Sequence, residues 1–194
     1  MVKIKIAITG TPGVGKSTVS KLLVKKLNES DNAERWGCQN FEYINITDAV
    51  KENKLYSEKD EEMDSYVVDF QKLNDYVNNI IKSKSKNLIV DGHISHLLKV
   101  DYIVVLRCNP EIILNRLKER NYHKNKIKEN VEAEILDVCL VETLENSDNV
   151  YVYELDTTNR TVESIVDEII DAITHKKTKY GIVNWLDDYF YMMD

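Results

Sequence analysis

Cysteine is scarce: Cys38, Cys108 and Cys139 are the three in 194 residues. An odd count without metal-ligand spacing argues against a disulfide framework or a zinc site. It reads as reduced thiols of an intracellular protein, with Cys108 and Cys139 packed in the core. Glycine and proline are scarce too, at six and two. That leaves no room for a flexible linker, so residues 1–194 are expected to form one domain. No apolar run approaches the ~20 residues of a membrane span, and the first residues read as a strand, not a secretory leader. A cytoplasmic location without a membrane partner is expected, and the sequons at Asn45 and Asn159 are then chance matches. Positive charge is in deficit, with 26 Lys and Arg against 33 Asp and Glu and a net charge of −7. This argues against general nucleic-acid binding, although a local basic patch can still hold RNA or phosphates.

Three of the six glycines cluster. An apolar run from Ile4 to Ile8 leads into Gly10-Thr-Pro-Gly13-Val-Gly15-Lys16-Ser17. An amphipathic helix follows, with Val19, Leu22, Leu23 and Leu27 on one face. This is G-x-x-x-x-G-K-[ST] between a buried strand and a helix N-terminus, the setting a phosphate loop needs. Backbone N–H groups wrap polyphosphate only where no Cβ intrudes, which accounts for Gly10, Gly13 and Gly15. The helix start aims its positive dipole end at the same anion. Lys16 adds a full charge at the β- and γ-phosphates, and the Ser17 hydroxyl is placed for Mg²⁺. A Gly-rich turn that binds nothing is the bland alternative; strand, loop and helix together favour a nucleotide binder.

Further on, residues 28–37 read as a polar loop in which Trp36 and Cys38 cap the sheet edge. Phe41–Ile46 reads as a strand, with Thr47 or Asp48 capping a short helix to about Lys54. Ser57–Asp64 is acidic and lacks core periodicity, so two readings stand level: a solvated excursion, or a mobile acceptor-binding segment. The spacing of Phe70, Leu73, Tyr76, Val77, Ile80 and Ile81 predicts a helix, ending in a basic turn over 82–86. Asn87–Asp91 is an apolar strand closing on a carboxylate. Asp91 either orients Mg²⁺ or caps the following turn, and a phosphate loop upstream favours the metal. His93 falls near the γ-phosphate as a water-orienting or acceptor-positioning group; with His96 it lacks a third ligand for a metal site.

Asp101–Leu106 is wholly apolar, as a sheet covered on both faces requires. Asn109-Pro110 starts a helix with Ile113 and Leu117 inward. Arg116 and Arg120, four apart, share another face. They open a basic segment with Lys118, Lys124, Lys126 and Lys128, for which a solvated face is the ordinary reading. It is kept for the lysines. The two arginines suit a flap that closes over a nucleotide and neutralises transition-state charge, a role worth about 10³ to 10⁵ in rate. One helix is expected from Glu129 to Glu145, then a strand from Val150 to Leu155, a loop over 156–160 near the base, and a last helix from Val162 to Ile173. The aromatic tail, 180–194, either packs back on the body or forms a partner surface.

Together these elements predict an α/β fold, a doubly wound parallel five-stranded sheet of the P-loop nucleoside monophosphate kinase kind. GTPGVGKS, YINITD, the VVD at 67–69, VDGH at 90–93, VVLR at 104–107, RLKERNY at 116–122 and DTTNRT at 156–161 resemble the nuclear and archaeal adenylate kinase family, the group of adenylate kinase isoenzyme six or coilin-interacting nuclear ATPase. The resemblance runs over nearly the whole chain. It implies transfer of the γ-phosphoryl of ATP to AMP or another nucleoside monophosphate, with ATP hydrolysis. It also implies a part in late small ribosomal subunit maturation, touching a small-subunit ribosomal protein in the pre-ribosomal particle. Carried onto this chain, Gly13, Gly15, Lys16, Ser17 and Thr18 hold phosphates and Mg²⁺. Residues 45–68 form the monophosphate segment, and about 119–129 the lid, with Arg120 on the ATP; by analogy with ordinary adenylate kinases Arg116 stacks on adenine. Two positions depart from the pattern. Asp91-Gly-His93 is not followed by the arginine that grips the acceptor phosphate, and Lys72 stands where arginine is frequent.

Two functions compete. A monophosphate kinase would use Lys16, Mg²⁺ bound by Ser17 and Asp91, His93 and Arg120 for positioning and charge neutralisation, with no covalent attack. An ATP-switched assembly factor would use the same site to control a partner, with His93 orienting a water. A GTPase is disfavoured, since no Asn-Lys-x-Asp occurs.

Overall fold

The computed structural model describes residues 3–29, 40–60, 65–84 and 86–193. Expectations for Trp36, Cys38 and most of the 28–38 loop lie outside them, as do residues 61–64. Strand β1 (Lys5–Thr9) feeds the phosphate loop and helix α1 (Lys16–Leu27). Strand β2 (Phe41–Asn45) passes directly into α2 (Ile46–Glu52). Next come β3 (Tyr56–Asp60), β4 (Ser65–Val68), α3 (Phe70–Lys84) and β5 (Asn87–Asp91). A 3-10 turn at Ser95–Leu97 leads to β6 (Tyr102–Arg107), α4 (Pro110–Glu119), α5 (Lys124–Ile135) and α6 (Val138–Asn146). Strand β7 (Tyr151–Asp156), α7 (Val162–Thr174) and a short α8 (Trp185–Tyr189) complete the chain.

The main sheet is parallel, in the order β2-β5-β1-β6-β7. Strand β1 lies at the centre and alternates between two cores. Ile6 and Ile8 pack with Leu23, Leu27, Ile113, Val131 and Ile169, while Ala7 faces the side of Leu73, Val77 and Leu140. This is the doubly wound arrangement expected from alternating strands and helices. The order places the carboxyl ends of β1 and β5 side by side, with Ile8 opposite Asp91, so the phosphate loop and Asp91 emerge at one edge.

Local expectations differ from the structure in several places. The cap of α2 is neither Thr47 nor Asp48: the Asn45 side chain accepts from the Asp48 amide at 3.0 Å. Residues 56–60 and 65–68 pair as antiparallel strands, β3 against β4, which their polarity disguised. Phe70, placed on the inner face of α3, is 38% exposed. The single helix expected over 129–145 starts earlier and breaks at Asp137, which adopts φ 57° and begins α6. Asp tolerates this left-handed conformation, and there its carboxylate pairs with Arg107. Cys108 is buried as expected, whereas Cys139 is only half-buried. The tail does pack on the body, where Trp185, Tyr189 and Met192 lie against the core of the α1 side.

Candidate functional site

Gly10 is required by crowding from within. It has φ 132°, and a Cβ there would stand 2.3 Å from the Leu106 carbonyl oxygen, so its demand comes from β6 and not from phosphate. Gly15, at φ 103°, caps α1 with no side chain over it, and a Cβ there would meet nothing within 4 Å. The leading N–H groups of α1 are thus left to the cleft. Lys16 Nζ donates to the Gly10 and Thr11 carbonyls at 2.7 and 3.0 Å. Burial lowers its pKa, and Asp91 is the strongest influence in the other direction.

A cleft of about 200 Å³ opens over this loop. Gly13, Gly15, Lys16, Ser17 and Thr18 line it, with Asn45, Thr47, Asp91, His93, Arg120 and Tyr122. The candidate residues Gly13, Gly15, Lys16, Ser17, Thr18, Asp91, His93 and Arg120 therefore come together. Arg116 stands apart from them: its Nη1 donates to the Gly13 carbonyl at 2.8 Å and approaches Cys108 Sγ at 3.7 Å. In this structure it braces the loop from behind.

Asp91 is fully buried, and its two oxygens differ. Oδ2 accepts from the Tyr43 hydroxyl at 2.7 Å and from Asn45 Nδ2 at 3.1 Å. Burial and the Asp91 hydrogen bond raise the Tyr43 pKa, which keeps the phenol a donor. Oδ1 is buried with no hydrogen-bond partner among the described residues. A buried carboxylate oxygen with no donor is costly. Ser17 lines the same cleft, so one hydroxyl and one fixed carboxylate fit a hard divalent cation that keeps its waters and takes phosphate oxygens. No cluster of three or more His, Cys, Asp or Glu suited to a metal occurs among the described residues.

His93 keeps an exposed edge, yet crowding around the ring, then Lys16, His96 and Lys126, lower its pKa to about 4, so the ring is neutral at pH 7. His96 is buried between β1 and α6: Nδ1 lies 2.8 Å from Thr9 Oγ1 and Nε2 lies 3.1 Å from Glu142 Oε2. The rim carries Arg120, the C-cap of α4, and Tyr122, with Lys126 Nζ 5.7 Å from the centre of the Tyr122 ring. Lys126 is thus held at the rim, where a solvated lysine was expected.

Behind the loop lies an ion cluster that sequence reading gave no role. Arg107 is 1% exposed. Its Nε donates to Glu134 Oε1 at 2.9 Å, Nη1 to Glu154 Oε1 at 2.8 Å, and Nη2 to Asp137. Burial opposes the charge, but Glu134 and Asp137 outweigh it, and the Arg107 pKa is raised. Glu134 also accepts the Thr11 hydroxyl at 2.5 Å and the Cys108 amide at 3.0 Å. Tyr43 and Asn45 were missed as well. A strand charge at a core-facing position, such as Glu154 within Val-Tyr-Val-Tyr-Glu-Leu, was the available signal for this cluster.

The family profile described as "AAA domain" matches residues 6–137. A Methanocaldococcus jannaschii protein described as "Putative adenylate kinase" is 55% identical over 186 residues, 96% of this chain and 95% of that protein. Proteins of the same description from Methanococcus maripaludis and Thermococcus kodakarensis are 53% and 44% identical, covering 97% and 95% of this chain and 99% and 94% of theirs. The shikimate kinase of Bacteroides thetaiotaomicron shares the fold at a TM-score of 0.54 and 15% identity, covering 88% of this chain and 98% of its own. With a phosphate loop, a buried aspartate on the adjacent strand and relatives this similar over nearly their whole length, the chain belongs to the archaeal adenylate kinase family.

Proposed function

We propose that the protein is a nucleoside monophosphate kinase that moves the γ-phosphoryl of ATP to AMP, giving two ADP, with a broad acceptor range and accompanying ATP hydrolysis. The observation that carries this reading is one cleft holding the uncapped N-terminus of α1, Lys16, Arg120 and a buried Asp91 oxygen with no donor among the described residues. An acceptor phosphate oxygen forms the new P–O bond while the bond from the γ-phosphorus to the β–γ bridging oxygen breaks, so the work is positioning and charge neutralisation. The α1 amides and Lys16 hold the phosphates, and Arg120 faces the transferring group from the rim. Asp91, fixed by Tyr43 and Asn45, and Ser17 would hold Mg²⁺, which supplies a Lewis acid for the developing charge. Residues 45–68, with α2 and the β3–β4 hairpin, serve as the acceptor segment. Residues 119–129, the α4–α5 turn and the first turn of α5, serve as the lid, whose closure excludes competing water. Arg116 serves the nucleotide by bracing Gly13, with adenine stacking as its role in the closed state.

His93 favours a second reading. A neutral imidazole in the cleft can orient water, so hydrolysis can act as a switch. With the likeness to the nuclear branch, this extends the proposal to a cytoplasmic assembly factor in late small-subunit maturation, contacting a ribosomal protein. The deciding assay supplies ATP and Mg²⁺ with and without each monophosphate and measures diphosphate and free phosphate separately. AMP-dependent ADP without matching phosphate is expected. Phosphate release indifferent to monophosphates would overturn the kinase in favour of the switch.

A further inference from the structure

The cluster behind the phosphate loop contains more than a buried pair needs. Arg107 would be neutralised by one carboxylate, yet three surround it: Glu134, Asp137 and Glu154. Glu134 and Glu154 are both buried and bonded through both oxygens, but the second oxygen of Glu154 takes the Ile182 amide of the tail, whereas that of Glu134 reaches the phosphate loop. Glu134 Oε1 takes Arg107 and the Cys108 amide at the end of β6, whereas Oε2 takes the Thr11 hydroxyl at 2.5 Å. Thr11 lies inside the phosphate loop, itself 1% exposed, and its carbonyl accepts from Lys16 Nζ. Glu134 thus stands one side chain from the residue whose backbone fixes the loop lysine.

Helix α5 gives that contact a second end. The helix runs from Lys124 to Ile135, directly after Arg120 and Tyr122. Over the eleven steps from its N-cap His123 to Glu134, at 1.5 Å each, this is about 16 Å of stiff rod. One end follows directly on the turn that holds Arg120 and Tyr122 at the rim of the cleft, and the other is tied to the floor. A helix moves as a unit, so the place where it is pinned to the loop sets where its far end stands. A carboxylate is also directional: the Thr11 hydroxyl and the Arg107 guanidinium hold it from two sides and fix its rotation.

We propose that Glu134 is a positioning residue that registers Lys16 and the Arg120 rim to each other by gripping the Thr11 hydroxyl. The proposal rests on the phosphotransfer reading above. Its effect falls on turnover more than on nucleotide affinity, because the backbone amides that bind phosphate remain while the mutual placement of the two cations is lost. A shift of about 1 Å in such a constellation can lower rate about 10²-fold.

Glu134→Gln would disturb Arg107 and with it the core, so Thr11→Val is the primary test: it removes the hydroxyl and keeps the branched shape. ATP and AMP turnover, equilibrium binding of a fluorescent ATP analogue and the melting temperature are measured for wild type, Thr11→Val, Thr11→Ser and Glu134→Gln. Expected for Thr11→Val is a kcat lowered about 10- to 100-fold, with ATP KM and analogue affinity within about threefold and melting above the assay temperature. Thr11→Ser should recover most of the turnover. Wild-type kcat in Thr11→Val overturns the proposal, as does equal loss in the serine variant. A loss confined to ATP affinity also overturns it, since Thr11 is then a simple binding contact. Failure of the wild-type protein to bind the analogue or transfer phosphate would instead sink the phosphotransfer reading itself.

Discussion

The floor and the rim of the cleft are built on different principles. The floor is the phosphate loop, seated on β1 and β6, its Thr11 and Val14 buried and backed by the buried Arg107 and Glu134, with Lys16 half-buried above them. The rim is Arg120, Tyr122 and His93, of which the first and last are exposed and Tyr122 is half-buried. On the proposed phosphotransfer reading, groups that meet a polyphosphate in one geometry are held by packing from behind, and groups that admit and release it are left to solvent. The contrast teaches that substitutions of similar chemistry should behave differently according to which wall they strike.

Striking the floor's charge itself should have the largest effect. Lys16→Ala removes the ammonium bonded to the loop carbonyls, and both transfer and hydrolysis should fall about 10³-fold, as read by coupled ADP and phosphate assays. On the rim, Arg120→Ala should lower transfer by about 10³-fold while the melting temperature holds, because the side chain is exposed. An equal loss of stability would erase the distinction between the walls. Support behind the floor should fail in the opposite sense. Arg107→Leu leaves Glu134 and Glu154 buried without their cation and should cost about 3–5 kcal/mol of stability, measured by urea unfolding. The smallest effect belongs to His93. Its native pKa of about 4 lies below the ordinary 6.5, so between those values the unfolded chain binds the extra proton. Stability should therefore rise with pH from about 4 to 6.5, and His93→Gln should flatten that stretch slightly, since solvent screens an exposed ring.

What could be read from the sequence followed the same division. The floor's own residues form one contiguous motif, and alternation of apolar strands with amphipathic helices gave away the sheet. Asp91 and Arg120 were found because each closes an element recognisable by its period. Tyr43 and Asn45 were not, because their bond to Asp91 depends on β2 lying beside β5, and parallel register across 46 residues leaves no local trace. Glu134 and Asp137 were hidden for a related reason. They look like solvated helix charges until the helix is bent back on Arg107. The β3–β4 hairpin escaped notice because its strands, Tyr-Ser-Glu-Lys-Asp against Ser-Tyr-Val-Val, bury too little to show an apolar alternation.

Strand β7 would be an open margin of the sheet but for a short stretch of the tail. The Lys179 amide donates to the Val152 carbonyl at 3.0 Å, its carbonyl accepts from the Glu154 amide at 2.6 Å, and the Ile182 amide reaches Glu154 Oε2 at 2.9 Å. Those three bonds act as a hem. Trimming the polypeptide before Lys177 would unpick it and bare a row of amides and carbonyls that another molecule's strand can match, so the shortened protein should self-associate and precipitate as its concentration rises.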